Sequence, residues 1–150
     1  PSLIPKRDVL QLRKIEKFLT KIDYVGVMGV ELFELEDGRL MINELAPRVH
    51  NSGHYSLDAL EVDQFTLHVR CVLGLPIAKP ELMSRGFAMM NLIGASERPP
   101  SWRAPSDVSL HWYGKVDNRV GRKMGHYNVL GETPELALKR AQAVRKDFRV

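Results

Sequence analysis

Glu31 and Glu44 are the residues in this sequence whose type and spacing point most directly to chemistry. Asp37-Gly38 lies between two apolar stretches and predicts a hairpin with a two-residue turn. With that turn Glu36 faces Arg39, Leu35 faces Leu40, Phe33 faces Ile42, and Glu31 faces Glu44. Side chains alternate along a strand, so Glu31, Phe33, Leu35, Leu40, Ile42 and Glu44 share one face. The apolar majority of that face predicts that it is covered. Two like charges directly opposite each other are destabilising. A divalent cation removes the conflict, and Mg²⁺ (or Mn²⁺) takes carboxylates together with substrate phosphates. A solvated edge or a bulge in the hairpin would leave the two glutamates without that role.

The run that follows, residues 43–54, is dense in polar groups: Asn43, Glu44, Arg48, His50, Asn51, Ser52 and His54. An arginine fork with imidazole and amide donors suits a carboxylate, a bicarbonate or a developing negative charge. The competing reading is a polar surface loop with capping residues. Zinc is set aside, because His50 and His54 have no third soft ligand nearby. Further along, Lys115 and Arg122 stand on two arms close to a turn at Asp117-Asn118, with Lys123 beside them. Two cations converging there would hold a phosphate. A basic hairpin facing solvent fits the same residues.

The elements that must carry these groups are legible in outline. Apolar residues spaced by three and four predict a helix over 8–22, with Asp8 as its cap. Residues 24–36 and 39–45 read as the two hairpin strands. A helix is expected over 57–73, stopped by Gly74 and Pro76. Residues 85–93 read as a buried strand and 97–105 as a Pro-rich surface loop. Two strands are expected over 109–115 and 122–130, and a last helix with Thr133 as cap and Pro134 at its first position. The class is α+β, with a candidate boundary in 76–81.

Composition narrows the function. The chain has 150 residues, 44% hydrophobic and 27% charged, within the range of globular domains. The single Cys71 excludes a disulfide framework and suits a reducing compartment. No apolar run is long enough to span a membrane, and no secretory leader is visible at the start, so a cytoplasmic location is expected. A net charge of +4 favours anionic partners. The basic residues of 139–149 lack interleaved aromatics and read as a solvated helix face rather than a nucleic-acid surface.

The segments Tyr24-Val25-Gly26-Val27, Val30-Glu31, the run 43–54 (Asn-Glu-Leu-Ala-Pro-Arg-Val-His-Asn-Ser-Gly-His), His111-Trp112-Tyr113-Gly114-Lys115 and Gly121-Arg122-Lys123-Met124-Gly125-His126 resemble the N5-carboxyaminoimidazole ribonucleotide synthetases. These belong to the ATP-grasp superfamily. The resemblance covers nearly the whole chain in order. It implies the C-terminal half of an ATP-grasp domain over 1–75, with the metal and bicarbonate site, and a small β-rich domain over 76–150 with a substrate phosphate site. It implies an ATP-dependent ligase of purine biosynthesis that joins bicarbonate to 5-aminoimidazole ribonucleotide and yields ADP and phosphate. Glu31 and Glu44 would hold Mg²⁺ against ATP, with Asn43 beside them. Arg48, His50 and Asn51 would be catalytic. Ser52, His54, Lys115, Arg122 and Lys123 would bind substrate. The full-length form would be a homodimer.

Members of that family are more than twice as long, and the parts that carry their ATP lysines and flexible loop have no counterpart here. The chain is therefore expected to be a fragment, inactive alone. Another ATP-grasp carboxylase or ligase, a stand-alone anion-binding module of the same fold and a general nucleic-acid binder are the other readings.

Overall fold

The structure is a computed structural model that describes residues 6–150, with side chains from residue 12 onward inside the first helix. The expected cap at Asp8 lies outside the described side chains. By its contacts the chain forms two compact units: residues up to Gly53 with Gln64–Lys79, and His54–Asp63 with Pro80–Val150. Among the described residues no helix is long and apolar enough to cross a membrane.

In the first unit, α1 (Lys6–Lys21) ends where Asp23 adopts a left-handed φ of +49° and Tyr24 N–H bonds back to the Leu19 carbonyl. Residues 24–28 do not join the strand as expected. Gly26, at φ +146°, breaks the extended run, and the Tyr24 hydroxyl donates to the Val27 carbonyl at 2.9 Å. Strand β1 (Gly29–Glu34) then pairs with β2 (Leu40–Ala46).

The turn differs from expectation in an instructive way. Leu35 N–H donates to the Arg39 carbonyl at 2.9 Å, and Gly38, at φ +75°, donates to the Leu35 carbonyl at 2.7 Å. The loop is therefore Glu36-Asp37-Gly38, a three-residue connection with glycine in the left-handed position. The rungs become Leu32 with Ile42, Phe33 with Met41 and Glu34 with Leu40, in place of the expected Phe33–Ile42 and Leu35–Leu40 pairs. A bulge between Glu31 and Leu32 absorbs Asn43 and restores the pairing of Glu31 with Glu44. The expected covered face is not found: Phe33 is 52% and Ile42 48% exposed.

The helix expected over 57–73 is two helices. Short α2 (Ser56–Ala59) belongs to the second unit and α3 (Gln64–Val72) to the first. Leu60 turns extended to form a bridge with Leu82, flanked by Glu61 N–H to the Glu81 carbonyl and Met83 N–H to the Ala59 carbonyl. A pairing partner far along the chain thus overrides local helix propensity. Gly74, at φ +65°, ends α3 as expected, and Cys71 on that helix is half-buried.

The second unit is built on a three-stranded antiparallel sheet, β3 (Gly86–Ile93), β5 (Ser109–Trp112) and β6 (Lys123–Gly131), with β6 central. Strand β4 (Ser101–Trp102) lies inside the expected surface loop and pairs with the C-terminal β7 (Phe148–Arg149). Helix α4 (Pro134–Val144) covers β3 and β6, and Thr133 caps it by accepting from Leu136 N–H at 3.2 Å. Leu92, Met124, Tyr127, Val129, Val144 and Phe148 make the core. Tyr127 stacks on Phe148 and donates to the Ala141 carbonyl at 2.8 Å. On the basic face, Arg140 grips the Asp107 carboxylate at 2.7 and 2.8 Å.

Strand β5 stops at Trp112, so β5 and β6 are joined by a folded loop over 113–122, not by the expected tight turn at Asp117-Asn118. Buried Asn118 donates to the Arg98 carbonyl at 3.0 Å, and Gly94 exchanges backbone bonds with Gly121 and Arg122, each at 2.8 Å. A Cβ on Gly94 would lie 2.2 Å from the Arg119 carbonyl oxygen, against backbone that cannot move independently. Gly94→Ala is expected to cost about 1–3 kcal/mol by overpacking. A urea midpoint unchanged by this substitution would refute the close approach.

Candidate functional site

The first unit presents the carboxylate pair. Glu31 and Glu44 face each other across the ladder, and the bulged Asn43 donates its amide to Glu31 Oε2 at 3.2 Å. His50 Nε2 lies 3.4 Å from the other Glu31 oxygen, Oε1. Both Glu31 oxygens are thus oriented before any ligand arrives.

His50 is held from several sides. Its backbone N–H donates to Gln64 Oε1 and its carbonyl accepts from Gln64 Nε2, both at 2.9 Å, and Gln64 is buried. Ser52 N–H donates to His50 Nδ1 at 3.3 Å, and the Ser52 hydroxyl is 2.8 Å from the same nitrogen. An Nδ1 that accepts leaves the proton of neutral imidazole on Nε2, toward Glu31. Two glycines make room. A Cβ on Gly29 would sit 2.7 Å from the His50 Cβ, and one on Gly53 would sit 2.5 Å from Gln64 Oε1. Asn51 opens the one-turn helix Asn51–Gly53 after His50. Arg48 is exposed, its guanidinium donating to the Val49 carbonyl at 3.0 Å.

Among the described residues no group of three or more His, Cys, Asp or Glu could hold a metal ion by itself. Two carboxylates with an amide oxygen beside them suit a hard cation that completes its shell from phosphate and water, as Mg²⁺ does. They do not make a structural zinc site, which takes four protein ligands.

The second unit carries the expected phosphate cations. Lys115 donates to the Lys123 carbonyl at 2.5 Å, and its ammonium lies 5.4 Å from the Tyr113 ring centre. Arg122 donates to the Asp117 carbonyl at 3.0 Å. Both are steered by carbonyl oxygens, which position a cation without neutralising it. Lys123 is exposed at the start of β6.

A polar cluster sits beside them that the separate motifs do not reveal. The imidazole of buried His126 is stacked between His111, at 4.6 Å, and His54, at 5.0 Å. Its Nδ1 meets the Tyr113 hydroxyl at 2.9 Å. Asp58 Oδ2 is 2.8 Å from His111 Nε2 and accepts from Asn128 Nδ2 at 2.5 Å. His54, His111 and His126 each lie in a recognisable motif. Asp58 and Asn128 carry no such signal, because their contacts span 53 and 70 residues of chain.

Comparison with known proteins matches two family models to separate stretches of the chain. A family model for the ATP-grasp domain matches residues 5–65, and one for the phosphoribosylaminoimidazole carboxylase C-terminal domain matches residues 88–140. N5-carboxyaminoimidazole ribonucleotide synthase of Vibrio vulnificus (strain YJ016) is 47% identical over 111 residues, which is 74% of this chain and 29% of that protein. The synthase of Synechococcus elongatus is 40% identical over 137 residues, 86% of this chain and 34% of its own length. The chain therefore spans 29% to 34% of these relatives. The crystal structure of the Thermotoga maritima synthetase superposes with a TM-score of 0.82 at 34% identity, over 99% of this chain and 44% of that one. The Aspergillus clavatus synthase, solved with ADP and 5-aminoimidazole ribonucleotide, superposes at 0.65 and 34% identity, over 81% of this chain and 34% of its own.

The buried imidazole has a consequence for pH. Burial first, then the neighbouring His111 and His54, push His126 down from its ordinary 6.5 to about 4, against the opposing pull of Asp58. Between those values the unfolded chain binds a proton at this site and the folded chain does not. Stability from His126 is thus fully present above pH 6.5 and is lost as pH falls toward 4. The loss is on the order of 3 kcal/mol at the acid end. Denaturant midpoints from pH 7.5 downward should show this slope. NMR observation of the His126 ring titrating near its ordinary value would contradict it.

Proposed function

Given that the chain belongs to the N5-carboxyaminoimidazole ribonucleotide synthetase family, we propose that it forms the C-terminal portion of an ATP-dependent ligase. That ligase carboxylates 5-aminoimidazole ribonucleotide with bicarbonate. Bicarbonate oxygen attacks the γ-phosphorus of ATP, ADP leaves, and the carboxyphosphate formed is taken by the amine of the ribonucleotide with release of phosphate. In this reading residues 1–75 act on ATP and bicarbonate, and residues 76–150 on the ribonucleotide phosphate. The observation that carries it is the rung of Glu31 and Glu44 beside the bulged Asn43, followed at once by the braced His50.

Each side chain has a task suited to its surroundings. Glu31 and Glu44, with Asn43, would hold Mg²⁺ (or Mn²⁺), which when bound would supply charge neutralisation and orientation for the transferring phosphoryl group. His50, pinned by Gln64 and Ser52, presents a fixed Nε2 proton to an anionic oxygen, and Arg48 and Asn51 add donors for bicarbonate. Ser52 and His54 contact the substrate. Lys115, Arg122 and Lys123 bind the ribonucleotide 5′-phosphate, and the carbonyl tethers on Lys115 and Arg122 reduce what must be ordered on binding. The full-length protein acts in the cytoplasm as a homodimer.

The test is ADP release by the full-length protein with Mg²⁺, ATP, bicarbonate and aminoimidazole ribonucleotide, omitting each in turn. Turnover is expected to require all four. ATP hydrolysis indifferent to the ribonucleotide would defeat the assignment. Glu44→Gln is expected to lower kcat by about 100-fold or more, since it removes charge from the metal pair. Lys115→Ala is expected to raise KM for the ribonucleotide by about 10-fold or more while KM for ATP holds, as loss of one charge-assisted phosphate contact predicts. Equal effects on both substrates would remove Lys115 from the phosphate site.

A further inference from the structure

We infer that Asp58 is a positioning residue for ribonucleotide binding, an inference that rests on the function proposed above. Asp58 lies on the short helix α2, directly after the polar run 43–54, and its side chain is 18% exposed. One of its oxygens, Oδ2, meets both His111 Nε2 on β5 and Asn128 Nδ2 on β6. Asn128 also donates to the backbone carbonyl of His54 at 3.2 Å. A single carboxylate therefore ties the last residue of the run to two strands of the sheet.

A carboxylate oxygen accepts, and this settles its neighbours. His111 must present a proton on Nε2, and Asn128 must turn its NH₂ toward Asp58. His111 then stacks on His126 with the ring planes 13° from parallel, and the His54 ring stacks on His126 as well. His126 reaches the Tyr113 hydroxyl, and the Tyr113 ring carries the Lys115 ammonium. Followed outward from Asp58, the contacts end on His54 at one side and Lys115 at the other. Both are groups assigned above to the ribonucleotide.

The arrangement is not the one that stability alone would choose. With Asn128 turned toward Asp58, its buried Oδ1 has no hydrogen-bond partner among the described residues, and neither has His126 Nε2. Each such group costs about 1–3 kcal/mol. Buried polar groups are ordinarily satisfied, so an exception calls for an explanation. Orientation of His54 and Lys115 supplies one.

The test is steady-state kinetics of the full-length Asp58→Asn and Asp58→Glu variants, with thermal melting of each. Asp58→Asn is expected to lower kcat/KM for the ribonucleotide by about 10- to 100-fold, the scale of a small misplacement of a binding group. KM for ATP is expected to stay within about twofold, and Asp58→Glu, which keeps the charge, to recover part of the loss. Hydrogen exchange without substrate is expected to quicken at the backbone amides of residues 54–56 in Asp58→Asn. Should that variant fail to fold, His111→Phe removes the same bond from the strand side, keeps a ring against His126 and carries the same expectation. A lower melting temperature with unchanged ribonucleotide kinetics would make Asp58 a core tie only and overturn the inference, as would equal losses for ATP and the ribonucleotide. A wild-type protein without ribonucleotide-dependent turnover would bring down the proposed function and this inference together. A wild type that turns over and an Asp58→Asn variant that matches it would bring down this inference alone.

Discussion

Two carboxylates on one rung of a β-ladder repel each other, and the first unit is arranged around that repulsion. Asn43 and His50 each approach one oxygen of Glu31, which leaves Glu31 oriented and Glu44 open to solvent. The polarity needed to tolerate the rung is supplied from the run that immediately follows it. His50 can serve there only because Gln64 holds its backbone on both sides and because Gly29 leaves space beneath its ring. Remove the repulsion and the bulge, the bracket and the glycine lose their common purpose.

The second unit solves a different problem. It buries an imidazole rather than opposing charges. His126 is kept neutral by burial against two other rings, and the nearby Asp58 orients His111 and Asn128. Low local polarity makes each of these bonds stronger and each omission more costly. The cluster nevertheless leaves two buried polar atoms, His126 Nε2 and Asn128 Oδ1, without a partner among the described residues.

Much of the local architecture could be read from the chain, and the reasons it could be read are local. Glu31 and Glu44 pair as alternation and Asp-Gly suggest, although two departures cancel to make it so: the loop is one residue longer and Asn43 is bulged out. The cap at Thr133, the stop at Gly74 and the antiparallel strands follow from short-range signals. What stayed hidden depends on distant partners. The break at Leu60 exists because Leu82 pairs with it. The 113–122 loop folds as it does because Gly94 and Arg98 receive it. Asp58 gains its importance from His111 and Asn128, and nothing in its own neighbourhood announces them. The exposure of Phe33 and Ile42 is likewise a property of tertiary surroundings, which alternation cannot supply.

The bulge at Asn43 has a meaning for how this hairpin tolerates changes of length. Below it the strands pair Leu32 with Ile42; above it they pair Glu31 with Glu44. Asn43 alone stands between the two halves without a rung of its own. Excision of that single residue would close the ladder with every other pair intact, and the two glutamates would still meet. A one-residue insertion or deletion in the strands elsewhere between the two glutamates would slide one glutamate past the other and turn its side chain to the opposite face. Homologous hairpins can thus differ by one residue at this point, and at few others, while keeping the carboxylates in place. The residue that can be dispensed with geometrically is the one whose amide reaches Glu31, so any pressure to retain it comes from its side chain rather than from the architecture.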